Sequence, residues 1–385
     1  MLWDVIIAGG GPAGASAALA AAEQGLEALV LEAQPVPGSK VCAGGVSKAA
    51  LQELGATLPE SVAERHCREL RPVSVKGRFS FLRTDPFMVT VARERFDCWL
   101  LNRAQAAGAE VSLGERLTGL TPRLDGVTVR TSAGERKGRL VIGADGAIST
   151  AARWVRPALS ARELGLGVAV EVADPSGAVL ERLSEAIEIH YGLVPAGYGW
   201  VFPRRDRLAC GVAGPAHVVR DPRQALAALL SLARLSSADC LGQPRTGLIP
   251  AGGPWRAVVR GRVLLAGDAA GLADALTGEG IRYALRSGRL AGRAAARALR
   301  GGGVEHSLAE YGRECGAMTR ALAWSWRIAR LFLAHEGLML TCFLGNEAWY
   351  HGLIDLLNGD TDQLGTLRRL AANLPKQLLR RAAGR

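Results

Sequence analysis

The chain of 385 residues has no C-x-x-C pair, only four methionines, and aromatic residues at just 5%. Its seven cysteines (Cys42, Cys67, Cys98, Cys210, Cys240, Cys315, Cys342) are scattered and odd in number. That spacing suits neither a disulfide framework nor a zinc site, and it favours a reducing cytoplasm. No basic stretch followed by an apolar core and a cleavage site precedes the first strand, so export by that route is not expected. The most apolar stretch, Ala321 to Phe343, is broken by Arg327, Arg330, His335 and Glu336, a costly set to bury in a bilayer, and no spanning helix is expected. Zinc-finger spacing, an RNA-recognition signature and a concentrated basic helix are all missing, so nucleic acid is not expected as a partner. Internal repeats and low-complexity segments are absent too.

What is present is a chain long enough for two or three structural units, 49% hydrophobic and 22% charged, with a net charge of +11. The positive excess favours an anionic partner, either a phosphorylated substrate or an acidic membrane surface.

The β-branched run Asp4 to Ala8, the glycine-punctuated turn Gly9 to Gly14, an Ala-rich helix from Ala15 to Gln24 and a second apolar run ending at Glu32 form a β-α-β unit. Gly9, Gly11 and Gly14 satisfy G-x-G-x-x-G. The spacing lets backbone N–H groups at the helix start, around Ala13, meet a pyrophosphate. Glu32 stands where a carboxylate accepts hydrogen bonds from an adenosine ribose. This motif alone does not separate FAD from NAD.

Two later segments do. Gly143-Ala-Asp145-Gly-Ala-Ile-Ser-Thr150 is similar to the second fingerprint of hydroxylase-like flavoproteins. Arg262-Val-Leu-Leu-Ala-Gly-Asp268-Ala269 is similar to the third, which implies that Asp268 bonds the ribityl chain. Gly278-Glu-Gly280-Ile281 then opens a long helix whose free N–H groups can face the edge of the flavin that becomes negative on reduction.

Lys40-Val-Cys42-Ala43-Gly-Gly45-Val-Ser47, Val91-Ala-Arg93-Glu-Arg-Phe96-Asp97 and Pro195-Ala-Gly-Tyr198-Gly-Trp200-Val-Phe202-Pro203 narrow the likeness. The chain resembles the geranylgeranyl reductase family of FAD-dependent oxidoreductases from its N-terminus to about Gly303. Ala43 departs from the family, standing where many members have glycine. The resemblance implies noncovalent FAD, with Cys42, Ala43, Gly45, Arg93, Leu117, Gly280 and Ile281 among its contacts and Cys42, on the face where the alkene would lie, as the candidate catalytic residue that helps deliver or relay the proton. Tyr198, Trp200 and Phe202 would line the substrate site. On periodicity alone these three rings share one strand face and equally suit an ordinary core, and Cys42 equally suits a small buried hydrophobe.

The implied reaction is saturation of C=C bonds in a polyprenyl chain, with hydride from N5 of reduced FAD and a proton from elsewhere. The electron donor stays open between NAD(P)H, ferredoxin and quinol. A flavin monooxygenase or halogenase of the same fold is the main alternative, although no W-x-W-x-I-P halogenase motif is present. A non-catalytic electron-transfer flavoprotein is the second.

The expected architecture is α/β, with a split Rossmann-type FAD domain (1–66, 88–160 and 256–303) holding an inserted antiparallel-sheet substrate domain (67–87 and 161–255), followed by a helical region (304–385). From Gln363 to Arg385, five leucines at helical spacing (Leu364, Leu367, Leu370, Leu374, Leu378) alternate with basic residues, interrupted by Pro375. Such a segment can lie on an anionic bilayer, giving a peripheral attachment to the inner membrane face, or it can pack on the protein itself.

Overall fold

The computed structural model describes residues 1–38, 40–74, 77–251, 253, 256–344, 346–366 and 368. Asp4 to Ala8 do not alternate in polarity because both faces of their strand are covered. Leu2–Ala8 runs parallel between Ala28–Glu32 and Gly134–Gly143, with Val5, Ile6 and Ile7 wholly buried. Glu110–Leu113 extends this parallel sheet on one side and Val263–Leu265 on the other. Three antiparallel strands, Leu117–Pro122 and Val127–Thr131 beside Gly134–Gly143 and the short Val259–Arg260 on Val263–Leu265, complete it.

The helix Pro12–Ala22 starts with proline, whose missing N–H is no loss in the first turn. Its alanines serve close packing: a Cβ on Gly288 or Gly292 of the long helix Ile281–Leu299 would collide with the carbonyls of Ala13 and Ala17. These two helices therefore pack nearly backbone to backbone, which joins the first βαβ unit to residues 275 positions later.

The second sheet runs in the order Arg245–Pro250, Leu164–Ala173, Arg207–Pro215, Tyr198–Pro203, Ala186–Tyr191, Glu69–Ser74 and Gly77–Arg78, with Phe81–Leu82 also on Glu69–Ser74. It is antiparallel as expected except at one junction. Ala186–Tyr191 pairs parallel with Glu69–Ser74, a strand that enters from the first domain over a long connection rather than through a hairpin.

The helices Val304–Ala334, Glu336–Phe343 and Glu347–Asn358 do not stand apart. Phe343, Trp349, Tyr350, Leu353 and Leu357 share one apolar cluster with Trp200 and Phe202 of the second sheet and with Phe87 and Met88. Among the described residues no helix is long and apolar enough to cross a membrane, and no cluster of three or more His, Cys, Asp or Glu is arranged to hold a metal ion.

Candidate active site

Two clefts meet where the turn after the first strand faces the loop Lys40 to Gly45. The first is lined by Gly9, Gly11, Glu32, Arg93, Asp97, Leu117 and Asp145. The second is lined by Gly11, Ala13, Cys42, Ala43, Gly45, Arg93, Tyr198, Trp200, Phe202, Asp268, Gly280 and Ile281. Gly11, Lys40, Arg93, Ala144 and Gly146 border both, so the two form one continuous channel. All but one of the residues named from the sequence border this channel. The exception is Gly14, which lines neither cleft; a Cβ there would strike the Gly9 carbonyl, so its role is to let the turn close.

The channel fits FAD. A Cβ on Gly11 would meet only Asp97 Oδ2, 3.9 Å away, so the backbone here fronts open space that a side chain would fill. The N–H groups of the first helical turn have no intrahelical acceptors and open on that space. Glu32 holds the turn in shape: its Oε2 accepts from Gly10 N at 2.6 Å and its Oε1 from Gln34 N at 2.8 Å. Asp145 is less free than its motif suggests. It accepts from Ser149 Oγ, from Thr150 N at 2.7 Å and from Ala151 N at 3.2 Å, so it fixes the start of the helix Thr150–Val155 beside the cleft.

Charge gathers at the junction of the clefts. Arg93 donates two parallel bonds to Asp97, Nε to Oδ1 at 2.9 Å and Nη2 to Oδ2 at 2.7 Å, with both side chains buried. Burial opposes the charge on this guanidinium, but Asp97 and Cys42 outweigh it and raise its pKa. Lys40 Nζ pairs with Asp268. The Lys40 side chain is 40% exposed, but what it is exposed to is the channel, whose walls enclose it. That desolvation, with Arg93 nearby, holds its ammonium down at about 8. Cys42 Sγ accepts from Gly44 N at 3.2 Å.

Tyr198, Trp200 and Phe202 point to one face of their strand and share the apolar cluster, whereas Val201 between them belongs to the core on the other face. Core and cavity wall are the same surface here. Trp200 Nε1 is buried with no hydrogen-bond partner among the described residues. Gly278 has φ +70, and any side chain on it would collide with the Tyr198 hydroxyl.

Beyond these rings the channel continues. Tyr191, Tyr198, Ala213, Ile249, Leu276, Gly278 and Leu353 border both it and a further apolar cavity walled by Trp326, Phe332, Phe343 and Trp349. Arg162, His217 and Arg330 stand at the rim of that cavity, with Glu336.

Several contributors escaped the sequence reading although their neighbours were named. Lys40 and Asp97 sit inside quoted motifs, and their partners reveal them only in three dimensions. Asp274 is buried; it accepts from Leu276 N at 2.8 Å, Thr277 N at 3.1 Å, Ser325 Oγ at 2.8 Å and Gln363 Nε2 at 3.0 Å. It thereby ties the C-terminal helices to the loop that opens the long helix. Glu279 carried a visible signal, a lone carboxylate between two glycines at a helix start.

Residues 4–152 match the family model described as FAD dependent oxidoreductase. The digeranylgeranylglycerophospholipid reductase 1 of Methanothermobacter thermautotrophicus is 32% identical over 327 residues, covering 81% of this chain and 82% of that protein. The chain belongs to the geranylgeranyl reductase family. The Methanocella arvoryzae digeranylgeranylglycerophospholipid reductase is 30% identical over 329 residues, covering 81% and 82%. Among solved structures, a geranylgeranyl bacteriochlorophyll reductase-like protein from Thermoplasma acidophilum superposes with a TM-score of 0.78 at 22% identity, covering 98% of each chain. A flavin-dependent brominase gives 0.72 at 18% identity, covering 93% and 94%, which shows how widely the fold is shared. As a member of the geranylgeranyl reductase family, this protein is an FAD-dependent oxidoreductase with a mixed α/β flavoprotein fold.

Proposed function

We propose that the enzyme saturates C=C bonds of a polyprenyl chain that carries an anionic head group. The observation behind this reading is the apolar passage itself. It runs from Cys42 past Tyr198, Trp200 and Phe202, through the neck at Ala213 and Leu353, into the cavity walled by Trp326, Phe332, Phe343 and Trp349. A compact aromatic substrate needs no such length, whereas a repeating isoprenoid does. Reduced FAD, when bound, supplies hydride. The isolated alkene has no carbonyl oxygen to polarise, so the protein's contribution is to place the double bond, exclude water and provide a proton. The basic groups Arg162, His217 and Arg330 suit a phosphorylated head held at the rim.

Gly9, Gly11, Ala13, Gly14 and Glu32 would hold the adenosine and pyrophosphate half of FAD, with Leu117 and Asp145 beside them. Lys40, Arg93, Asp268, Gly280 and Ile281 would hold the ribityl and ring portion, against the loop Cys42, Ala43 and Gly45. In this reading the first sheet carries the cofactor (1–66, 88–160 and 256–303), and the second (67–87 and 161–255) supplies the substrate wall. Cys42 is the proposed alkene-facing contact. Cys42→Ser should keep its FAD and slow reoxidation by substrate more than reduction of the flavin, as read by stopped-flow absorbance of the two half-reactions. Equal slowing of both would return Cys42 to a packing role.

We also propose that the enzyme takes its substrate from an acidic bilayer. Trp324, Leu331 and Leu338 are exposed on the helices that form the cavity rim, among Arg320, Arg327 and Arg330. Of the leucine-rich stretch from Gln363 only the start is described, and there Leu364 is half-buried. Gln363 is buried and donates to Tyr283 Oη at 2.8 Å as well as to Asp274, while Leu367, Leu370, Leu374, Pro375 and Leu378 lie outside the described residues. The protein is expected to float with acidic liposomes at low salt and to be released as salt rises. Protein that ignores acidic liposomes at low salt would defeat the membrane reading and leave the flavin chemistry untouched.

A further inference from the structure

Saturating an isolated alkene takes a proton as well as a hydride, and the proton-bearing side chains on the cavity wall include Lys40, Cys42, Tyr191, Tyr198 and Glu279; Lys40 is held in an ion pair with Asp268. A thiol is a weak acid, with a reference pKa of about 8.5, whereas a carboxyl whose pKa is raised to near neutral keeps its proton at pH 7 and still gives it up more readily. Glu279 lines the same cavity as Cys42, Tyr198 and Trp200. It lies one residue before Gly280, the N-cap of the long helix. Its Oε1 accepts a hydrogen bond from Ser47 Oγ, and no partner of Oε2 is found among the described residues.

We infer that Glu279 is the general acid of the reaction, giving its proton to the alkene carbon that does not receive hydride. This rests on the reading of the substrate as a polyprenyl chain and adds the identity of the proton donor. The π bond opens and two C–H bonds form. With reduced FAD bound, that cofactor would supply the hydride to one carbon, giving up two electrons. The other takes the Glu279 proton, leaving a carboxylate that is reprotonated from water before the next turnover.

The surroundings keep this carboxyl charged with a proton. Desolvation in the cavity wall raises its pKa to about 7, and Asp274 adds repulsion from the preceding loop. Ser47, on the strand Gly45–Ser47, and Arg282, on the long helix, pull the other way. Tyr283 also faces it from the long helix and is itself raised, chiefly by burial and then by Asp274 and Glu279. At neutral pH a large share of Glu279 therefore carries the proton, and it remains a stronger acid than an ordinary thiol.

The test pairs Glu279→Gln with Ser47→Ala. Glu279→Gln should bind FAD at wild-type levels and accept electrons at the wild-type rate, yet reoxidise on a polyprenyl lipid about 100-fold more slowly or worse. In the wild type that reoxidation should fall as pH rises through about 7. Ser47→Ala, which removes a bond favouring the carboxylate, should move the fall to higher pH. Independently of turnover, infrared difference titration should show a protonated carboxyl lost near pH 7 in the wild type and missing from Glu279→Gln. A carboxyl that titrates in the usual carboxylate range, or a Glu279→Gln enzyme that reduces lipid as well as wild type, overturns the donor assignment alone. A wild type that no polyprenyl lipid reoxidises overturns the alkene reading, and the donor role with it.

Discussion

Asp268→Ala is expected to purify largely without flavin, seen as loss of visible absorbance relative to protein. Asp268 borders the cavity at the end of the buried strand Val263–Leu265 and pairs with Lys40. Removing it deletes a charge-assisted bond worth about 1.5–3 kcal/mol, or roughly 10- to 150-fold in affinity. It also takes from the Lys40 ammonium its ion-pair partner, in a site where burial and Arg93 already disfavour that ammonium. Asp268→Asn keeps an acceptor and should retain more FAD than the alanine variant. An Asp268→Ala protein with unchanged FAD content would remove this residue from the cofactor site.

Ala213→Phe should abolish turnover of long-chain substrate while leaving FAD in place. Ala213 is buried in the strand Arg207–Pro215, opposite Tyr198, and borders both cavities where they join. An added ring has empty space to enter, so the overpacking cost of about 1–3 kcal/mol expected in a filled core should be reduced. The ring would occupy the neck a polyprenyl chain has to thread. Displacement of the reacting bond by even about 1 Å is enough to cost on the order of 100-fold. Reduction of the flavin itself, which needs no passage through the neck, should be unaffected. Equal activity on long chains in the variant and the wild type would show that the chain does not take this route.

The parts of this site legible in the sequence are those whose physics is local. A glycine turn between an apolar strand and an Ala-rich helix dictates its own conformation, and Glu32 follows at a fixed distance because the βαβ unit has a fixed size. Tyr198, Trp200 and Phe202 were legible as one face because strands repeat every two residues. What stayed hidden depends on partners far apart in the chain. Lys40 and Asp268 are 228 residues apart, and nothing in either segment announces the other. The parallel pairing of Glu69–Ser74 with Ala186–Tyr191 likewise joins segments more than a hundred residues apart. The part the C-terminal helices play in the cavity was hidden for a physical reason. Apolar residues interrupted by arginines describe a membrane-surface helix and a cavity wall equally well, and here Phe332, Phe343 and Trp349 turn inward to wall the cavity. Glu279 read as part of a helix start, because its elevated pKa arises only once the cavity wall, Ser47 and Asp274 surround it.

The central claim is alkene reduction in an apolar passage, and mass spectrometry of the lipid after a single anaerobic turnover tests it most directly. Chemically reduced, FAD-loaded enzyme mixed with a polyprenyl lipid should return flavin to its oxidised colour and yield lipid heavier by two hydrogens per bond reduced. Lipid of unchanged mass, or a hydroxylated product appearing only when oxygen is admitted, would contradict it.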